Sequence, residues 1–304
     1  MKKIYITMGD PRGIGPEIIY KSIKDIFSGS EKKEFTPVII GDEEILKASS
    51  GKYGIKDKIS YHPVESSAHP GKDALNYIDK GVDLCKNDPD SALVTAPVEK
   101  NIIAQVEKGF AGHTEYIAGL LGVNKAVMAF IGQGIRMSLL TTHIPLKAVA
   151  ENISGDHIIE HVKIADNALK KWFKIDHPRI VLCGLNPHAG EEGLLGYEEK
   201  DCFVPAIKKL REGGININGP LSAEAGLKSI LNGEYDLIVS SYHDQLLPGV
   251  KALLGPTVNL TAGLPIVRTS PDHGPAIDIA GKKPADFKSM RSAILLAARL
   301  IEEK

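Results

Sequence analysis

The sequence predicts an α/β fold of one or two domains around a mainly parallel sheet. Its 304 residues are 43% hydrophobic and 25% charged, which is typical of a globular protein that buries a sizeable core. Short β-rich runs alternate with longer helical patterns, and this alternation indicates βα units. The predicted strands cover residues 3–8, 36–41, 91–95, 126–131, 136–142, 179–183 and 236–241.

Three segments carry clear helix signals. Gly15-Pro16-Glu17 predicts a helix start, because proline suits the first turn and a carboxylate there complements the helix dipole. The segments 156–173 and 285–302 repeat apolar residues at helical spacing. Those residues are Ile158, Val162, Ala165, Leu169 and Trp172 in the first, and Met290, Ile294, Ala297 and Leu300 in the second.

Charge and cysteine content narrow the function classes. Lys plus Arg is 37 against 38 for Asp plus Glu, so the chain has no overall field to gather nucleic acid or anionic lipid. Three cysteines without a CxxC pair argue against a disulfide framework or a thiolate zinc site. No apolar run approaches the roughly 20 residues of a membrane span or resembles a signal peptide. We therefore expect a cytoplasmic protein without nucleic-acid or membrane partners.

Three predicted strands lead to histidines: RMSLLTTH to His143, RIVLCGLNPH to His188 and DLIVSSYH to His243. Ligands of parallel α/β sheets gather beyond the carboxyl ends of strands, so these three imidazoles could converge. Three histidines suit zinc, cobalt or nickel and leave coordination positions open for a substrate. Three unrelated capping or hydrogen-bonding histidines remain the alternative.

The segment His157-Ile-Ile-Glu-His161 matches the HxxEH signature of one class of zinc peptidases. Such a five-residue match arises easily by chance, and the same helix must turn its Ile and Val residues inward. We therefore interpret His157 and His161 as exposed helix histidines.

Other candidates for ligand binding are polar residues at loops and helix starts. The glycine-rich turn 9–17 precedes a helix and is either an anion site or only a tight turn. In Gly112-His113-Thr114-Glu115, Thr114 could cap a helix while His113 faces a ligand. Downstream, Lys251, Asn259 and Arg268 are either solvent-facing or phosphate ligands.

Read together, the motifs resemble the 4-hydroxythreonine-4-phosphate dehydrogenase family. The resemblance runs in consistent order from about Ile4 to Ala298. It includes a sister group that oxidises phosphorylated four-carbon sugar acids such as threonate or erythronate phosphate. The motifs are GDPRGIGPE, TAPVEK, GHTE, TTHIPL, CGLNPHAGEEG, NGPLSAE, YHDQLLPGVK and VNLTAGLPIVRTSPDHG.

The resemblance implies a set of site residues. The family's metal ligands fall on His143, His188 and His243, the same three that the strand-end argument selects. Its substrate contacts fall on His113, Thr114, Lys251, Asn259 and Arg268. The segment 273–281 is also similar to the adenine-side loop of isocitrate and isopropylmalate dehydrogenases. That likeness implies cofactor contacts at His273, Gly274 and Asp286.

It also implies the isocitrate/isopropylmalate dehydrogenase fold, with two α/β/α domains, a cleft between them and no Rossmann fingerprint. We expect residues 1–110 with 242–304 in the first domain and 111–241 in the second. The implied enzyme is a homodimer with shared active sites that uses NAD or NADP and one divalent metal such as zinc, magnesium or cobalt. Asp244, beside a predicted ligand, is a candidate general base or a support for that ligand.

The implied reaction is oxidation of 4-phosphohydroxy-L-threonine at its secondary alcohol, with decarboxylation to 3-amino-2-oxopropyl phosphate, a step of pyridoxal phosphate biosynthesis. Three departures from the family pattern bear on specificity: Leu246 replaces a usual glycine, Pro275 replaces a usual threonine, and the stretch 251–259 is shorter. The alternatives are a 4-phospho-D-threonate or D-erythronate dehydrogenase, a three-histidine zinc hydrolase, and a non-catalytic phosphate-binding protein.

Overall fold

The computed structural model describes residues 2–29, 34–55 and 58–302. The chain forms two compact units. The first comprises the described residues as far as Ala126 and from Pro256 onward, and the second comprises Val127–Gly255. In the part of the chain that is described, no helix has the length and apolar character needed to cross a membrane.

The order of elements alternates strands and helices along most of the chain. The strands are β1 (Lys2–Thr7), β2 (Phe35–Gly41), β3 (Ser60–Pro63), β4 (Ser91–Thr95), β5 (Val127–Gly132), β6 (Ile135–Leu139), β7 (Ile180–Cys183), β8 (Ile217–Leu221), β9 (Leu237–Ser240), β10 (Val258–Ala262) and β11 (Val267–Pro271). The α-helices are α1 (Gly15–Ser28), α2 (Glu43–Tyr53), α3 (Pro70–Lys86), α4 (Lys100–Ile103), α5 (His113–Leu120), α6 (Gly155–Phe173), α7 (Val204–Glu212), α8 (Ala223–Leu231), α9 (His243–Leu254) and α10 (Lys288–Glu302).

In the first unit the strand order is β3-β2-β1-β4-β11-β10. Every pairing in this row is parallel except that of β10 with β11. The parallel strands β1 and β4 are buried over most of their length, as expected for strands covered on both faces. The carboxyl ends of these strands therefore lie at one edge, where ligands of such sheets bind.

Two helices of the first unit, α1 and α10, agree largely with the prediction in where they begin and in which residues they bury. Helix α1 starts at Gly15 with Pro16 in its first turn. Glu17 accepts hydrogen bonds from the Lys21 ammonium and from the Ala285 backbone N–H. Helix α10 buries the predicted apolar face but begins at residue 288 rather than 285.

In the second unit the strand order is β5-β6-β9-β7-β8, and only β5 with β6 is antiparallel among the pairings of the described residues. Strands β6 and β9 end at Leu139 and Ser240, earlier than predicted. The chain nevertheless continues in register beyond them, because the Leu140 N–H donates to the Ser240 carbonyl. The expected domain borders, 110/111 and 241/242, differ from the borders between the two compact units, which are 126/127 and 255/256. Helix α5 therefore belongs to the first unit and α9 to the second.

Helix α6 buries the five predicted apolar residues and is capped by Ser154, whose hydroxyl accepts from the His157 N–H. The interpretation of His161 as exposed is wrong. Its side chain is buried, and its Nε2 lies 2.9 Å from the Ser138 hydroxyl of β6. The hydroxyl gives the buried imidazole a polar partner, which the helical pattern alone does not reveal.

Candidate functional site

His143 and His243 lie close together in the second unit. The segments after β6 and β9 run side by side, since the Thr141 N–H and hydroxyl both donate to the Ser241 carbonyl. This pairing brings the ring centroids of the two histidines to 5.8 Å. Imidazole nitrogens bind zinc at roughly 2.0–2.1 Å, so rings at this separation can reach one cation. The donor set therefore fits a borderline metal such as zinc or cobalt.

Asp244 is placed to orient His243. Its Oδ1 lies 2.5 Å from the His243 Nδ1 at the first turn of α9. A carboxylate on one ring nitrogen fixes the tautomer and leaves Nε2 as the ligand atom. Of the two roles expected for Asp244, this contact supports the orienting one.

His188 stands on an unusual turn. Five consecutive residues, 188–192, have positive φ, with values from 44° to 80°, and only Gly190 among them is a glycine. The left-handed conformation costs roughly 1–2 kcal/mol for each non-glycine residue. Such strain persists only where surrounding contacts hold it, and it is typical of functional loops. The His188 side chain is exposed.

The three histidines do not all meet within the chain. Among residues 2–29, 34–55 and 58–302, no three His, Cys, Asp or Glu side chains form a group that can hold a metal ion. The structure thus brings His143 and His243 together, and the third ligand, His188, stays a prediction.

Arg268 is a buried cation on β11 of the first unit. Its side chain is only 2% exposed, and its guanidinium donates to the Thr261 and Thr95 hydroxyls at 2.9 and 2.6 Å. Its Nε has no hydrogen-bond partner among the described residues. Burial lowers the pKa of Arg268 to about 10, against the opposing charge of Glu115. A buried guanidinium held by two neutral hydroxyls is a strong site for an anion.

His113 and Asn259 add two further unpartnered polar atoms in this unit. The His113 Nε2 and the Asn259 Oδ1 are both inaccessible to solvent, and neither has a hydrogen-bond partner in the part of the chain that the structure describes. Burial, reinforced by the charges of Arg268 and Lys100, lowers the pKa of His113 well below its ordinary value of 6.5. Buried polar atoms are nearly always paired, so these positions point to a ligand.

Thr114 and Lys251, two further predicted substrate contacts, lie in different units. The expectation that Thr114 caps helix α5 is wrong, because the cap position is Gly112 and no side chain caps this helix. Thr114 is instead a buried residue of the first turn. Lys251 belongs to the second unit, where its ammonium lies 5.5 Å from the centre of the Phe130 ring.

The predicted cofactor segment packs on the glycine-rich turn. The Ile14 N–H donates to the Pro275 carbonyl, and the Gly13 N–H donates to the Asp10 carbonyl. These internal bonds occupy amides that an anion would use, which favours the tight-turn interpretation of residues 9–17. A Cβ at Gly13 would lie 2.7 Å from the Pro275 oxygen, so glycine is required there.

His273, Gly274 and Asp286 have local contacts only. The His273 Nδ1 lies 3.1 Å from the Gly274 carbonyl, and the ring is exposed. The Asp286 carboxylate accepts from the Lys288 N–H and so supports the start of α10. Their assignment to a cofactor stays a prediction.

Sequence reasoning missed three residues of the candidate site. Thr95 and Thr261 were not singled out, although both lie in quoted motifs, TAPVEK and VNLTAG. Glu199, which is 4% exposed, also escaped notice. In the sequence, Glu199 is marked only by its position shortly after the CGLNPHAGEEG motif. Glutamates face solvent far more often than they are buried, so this position alone does not indicate a buried carboxylate.

Comparison with known proteins identifies the family. Residues 20–297 match the model of "Pyridoxal phosphate biosynthetic protein PdxA". A 4-hydroxythreonine-4-phosphate dehydrogenase of Pseudoalteromonas translucida is 37% identical, over 99% of this chain and 98% of that protein. The chain belongs to the PdxA family. The resemblance stated from the motifs is confirmed.

Solved structures agree with this assignment. The crystal structure of 4-hydroxythreonine-4-phosphate dehydrogenase from Klebsiella pneumoniae matches with a TM-score of 0.86 at 31% identity, covering 99% of this chain and 98% of that chain. An isocitrate dehydrogenase from Methylococcus capsulatus matches with a TM-score of 0.52 at 15% identity, covering 100% of this chain and 86% of that chain. The second likeness concerns the fold alone and confirms the predicted fold class.

The low pKa of His113 gives a prediction about stability. Below pH 6.5 the unfolded chain protonates this histidine while the buried ring stays neutral, so the unfolded state binds more protons. The free energy of unfolding should therefore fall on acidification, by about 1.4 kcal/mol per pH unit from this group alone. Urea unfolding from pH 7 to 5 should show a shallower decline for His113→Gln. An equal decline in both proteins would contradict the burial argument.

Proposed function

We propose that the chain oxidises the secondary alcohol of 4-phosphohydroxy-L-threonine, with NAD or NADP as hydride acceptor and with decarboxylation to 3-amino-2-oxopropyl phosphate. The observation that carries this proposal is the buried guanidinium of Arg268 with its unpartnered Nε. The charge of Glu115 acts on Arg268, but no ion pair of the described residues includes this guanidinium. A buried cation without a paired anion is costly unless a ligand supplies one. The phosphate named in the relatives' substrate is an anion of this kind.

The first unit would hold the polar groups of the substrate. Arg268 would bind the phosphate, and the unpartnered atoms of His113 and Asn259 would bind neighbouring oxygens or the amino group. Thr114 is another proposed contact of this unit, and Lys251, which belongs to the second unit, is the last of the proposed contacts. The neutral state of His113 suits this role, since a neutral imidazole can donate or accept one hydrogen bond without adding a second buried charge. Anchoring of this kind holds the reacting carbon in place.

The histidines would hold one divalent metal ion. His143 and His243 are already close together, and His188 is the proposed third ligand. When bound, the cation would stabilise negative charge that develops on a substrate oxygen. Asp244 would keep the Nε2 of His243 directed to the metal through its bond to Nδ1.

The atoms balance in two steps. In the first, the C–H bond at the alcohol carbon would break, a bound nicotinamide would serve as the hydride acceptor, and the hydroxyl proton would leave to water. The product is a β-keto acid, which loses carbon dioxide as its carboxylate C–C bond breaks. The resulting enolate takes up one proton and becomes the amino ketone phosphate. His273, Gly274 and Asp286 are the proposed cofactor contacts for the first step.

We further propose a homodimer in which the partner subunit's His188 completes each metal site. Two observations support this assembly: the histidine pair within the chain lacks its third member, and exposed large apolar side chains concentrate in the second unit. Eight of the ten in the described chain lie there, and such side chains are typical of interfaces. They are Ile144, Leu146, Leu194, Leu195, Tyr197, Val204, Leu231 and Leu253.

Steady-state kinetics test the substrate. NADH or NADPH formation should be fastest with 4-phosphohydroxy-L-threonine, measured beside 4-phospho-D-threonate and 4-phospho-D-erythronate. Two departures from the family pattern do not argue for a changed substrate, because Leu246 packs in the core of the second unit and Pro275 makes its contact through the backbone. Turnover confined to the sugar acids would contradict the proposal.

Heat unfolding provides a control for the class of enzyme. A dehydrogenase should be protected by NAD or NADP, by about 2.7 kcal/mol at a ligand concentration 100 times its Kd. A zinc hydrolase should show no such protection.

A further inference from the structure

Glu199 is a buried carboxylate that binds the backbone leading to His188. Its Oε1 accepts hydrogen bonds from the Leu185 and Asn186 N–H groups, both at 2.7 Å. Its Oε2 accepts from the Asn186 side-chain amide at 2.9 Å. Three donors from Leu185 and Asn186, which precede His188 by three and two residues, therefore bind one carboxylate. Hydrogen bonds to a charged carboxylate are strong, so Glu199 fixes this part of the loop.

The surrounding backbone is built to admit this carboxylate. A Cβ at Gly190 would lie 2.5 Å from the Glu199 Oε2, and one at Gly184 would lie 3.0 Å from its Oε1. The segment Glu199–Phe203 forms a π-helical turn that continues into α7. Such turns are rare and are found frequently at functional sites.

The backbone hydrogen bonds inside the His188 turn are local. The Ala189 N–H donates to the Asn186 carbonyl, the Leu194 N–H to the Glu191 carbonyl and the Leu195 N–H to the Gly190 carbonyl. A run of left-handed residues is unfavourable on its own, so it depends on anchors outside the run. Glu199 provides the buried anchor at the amino-terminal side of this turn.

We propose that Glu199 is a positioning residue that sets the direction of His188 as a metal ligand. This inference rests on the proposed function, because it takes His188 to bind the metal. Glu199 itself contacts neither metal nor substrate in this scheme. It acts through the backbone of Leu185 and Asn186.

The test measures Co²⁺ binding to metal-free protein by calorimetry, together with the visible spectrum of the Co²⁺ complex. Glu199→Ala should weaken Co²⁺ affinity about 10- to 100-fold, the effect typical of groups that orient a metal ligand, and should alter the spectrum. Glu199→Gln should give a smaller loss. Its carbonyl can keep both backbone bonds, while its amide opposes the Asn186 amide. If the Ala variant does not fold, the Gln variant still allows the proposal to be tested.

Glu198→Gln is the matched control. Glu198 is only partly buried. Its carboxylate accepts a hydrogen bond from the Asn186 side-chain amide and interacts with the backbone N–H groups of Tyr197 and Glu198, and a glutamine carbonyl can also accept from these donors. Its Co²⁺ affinity should stay within about twofold of the parent, since no backbone anchor is lost. A loss equal to that of Glu199→Gln would overturn the specific role of Glu199.

His188→Ala separates the two levels of inference. If it weakens Co²⁺ binding and Glu199→Ala adds nothing in its background, Glu199 acts through His188. If His188→Ala weakens binding while both Glu199 variants bind Co²⁺ normally, the positioning role is wrong and the proposed function stands. Unchanged binding by His188→Ala would overturn the ligand assignment and, with it, the role of Glu199.

Discussion

Replacing Arg268 with methionine is expected to affect stability and activity in opposite directions. Without a buried charge that is held only by hydroxyl groups, the ligand-free protein should be as stable as the parent or more stable, by about 1 kcal/mol. The kcat/KM for the phosphorylated substrate should fall roughly 100- to 1,000-fold, because a charged partner of a buried anion is lost. Urea unfolding and initial-rate kinetics measure the two effects.

Arg291→Met is the matched control for this experiment. Arg291 makes an exposed ion pair with Asp25 on the first unit, so the same chemical change there removes a surface charge. Its kcat/KM should stay within about twofold of the parent, because exposed pairs contribute little. If Arg268→Met lost stability but kept full kcat/KM, Arg268 would be a structural residue and not a phosphate ligand.

Removing either histidine of the close pair is expected to abolish most activity. His143→Ala and His243→Ala should each lower kcat/KM at least about 100-fold, since the Lewis-acid contribution of a metal amounts to several kcal/mol. Asp244→Asn should weaken Co²⁺ binding about 10- to 100-fold, as expected for a carboxylate that orients a ligand. Near-normal rates after thorough chelation would contradict a metal-dependent reaction.

Mixing inactive variants tests the shared site. A hybrid dimer of His243→Ala with His188→Ala should regain one intact site, because one subunit keeps His143 and His243 while the other keeps His188. A hybrid of His143→Ala with His243→Ala should stay inactive, since each subunit has lost one member of its pair. Unfolding and refolding the mixtures before assay produces the hybrids. Equal recovery in both mixtures would exclude the proposed division of ligands between subunits.

Sequence patterns predicted the parts of this fold whose signals are local. The seven predicted strands correspond to β1, β2, β4, β5, β6, β7 and β9, because buried strands leave continuous apolar runs. The strands β3, β8, β10 and β11 were missed. Polar residues, glycine or proline interrupt their apolar pattern, as Gly219 and Pro220 do in β8, and this weakens a strand signal. Pairing with neighbours, which no local pattern encodes, stabilises them.

Part of the candidate site could likewise be predicted from local patterns, and part could not. The proximity of His143 and His243 followed from their position after two strands, and the neighbouring order of β6 and β9 produces it. The left-handed turn at His188 could not be foreseen, since four of its five residues are not glycine. Its support by Glu199 is a contact between segments 13 or 14 residues apart, which only the folded chain reveals.

The bond from the Ile14 N–H to the Pro275 carbonyl explains why residue 275 can differ from its relatives. Every amino acid offers the same carbonyl, so the side chain at this position contributes nothing to that bond. Gly13 cannot be replaced, because the side chain of any larger residue at position 13 would push the two segments apart. Substitution at position 275 therefore keeps this hydrogen bond, whereas a side chain at position 13 would break the junction.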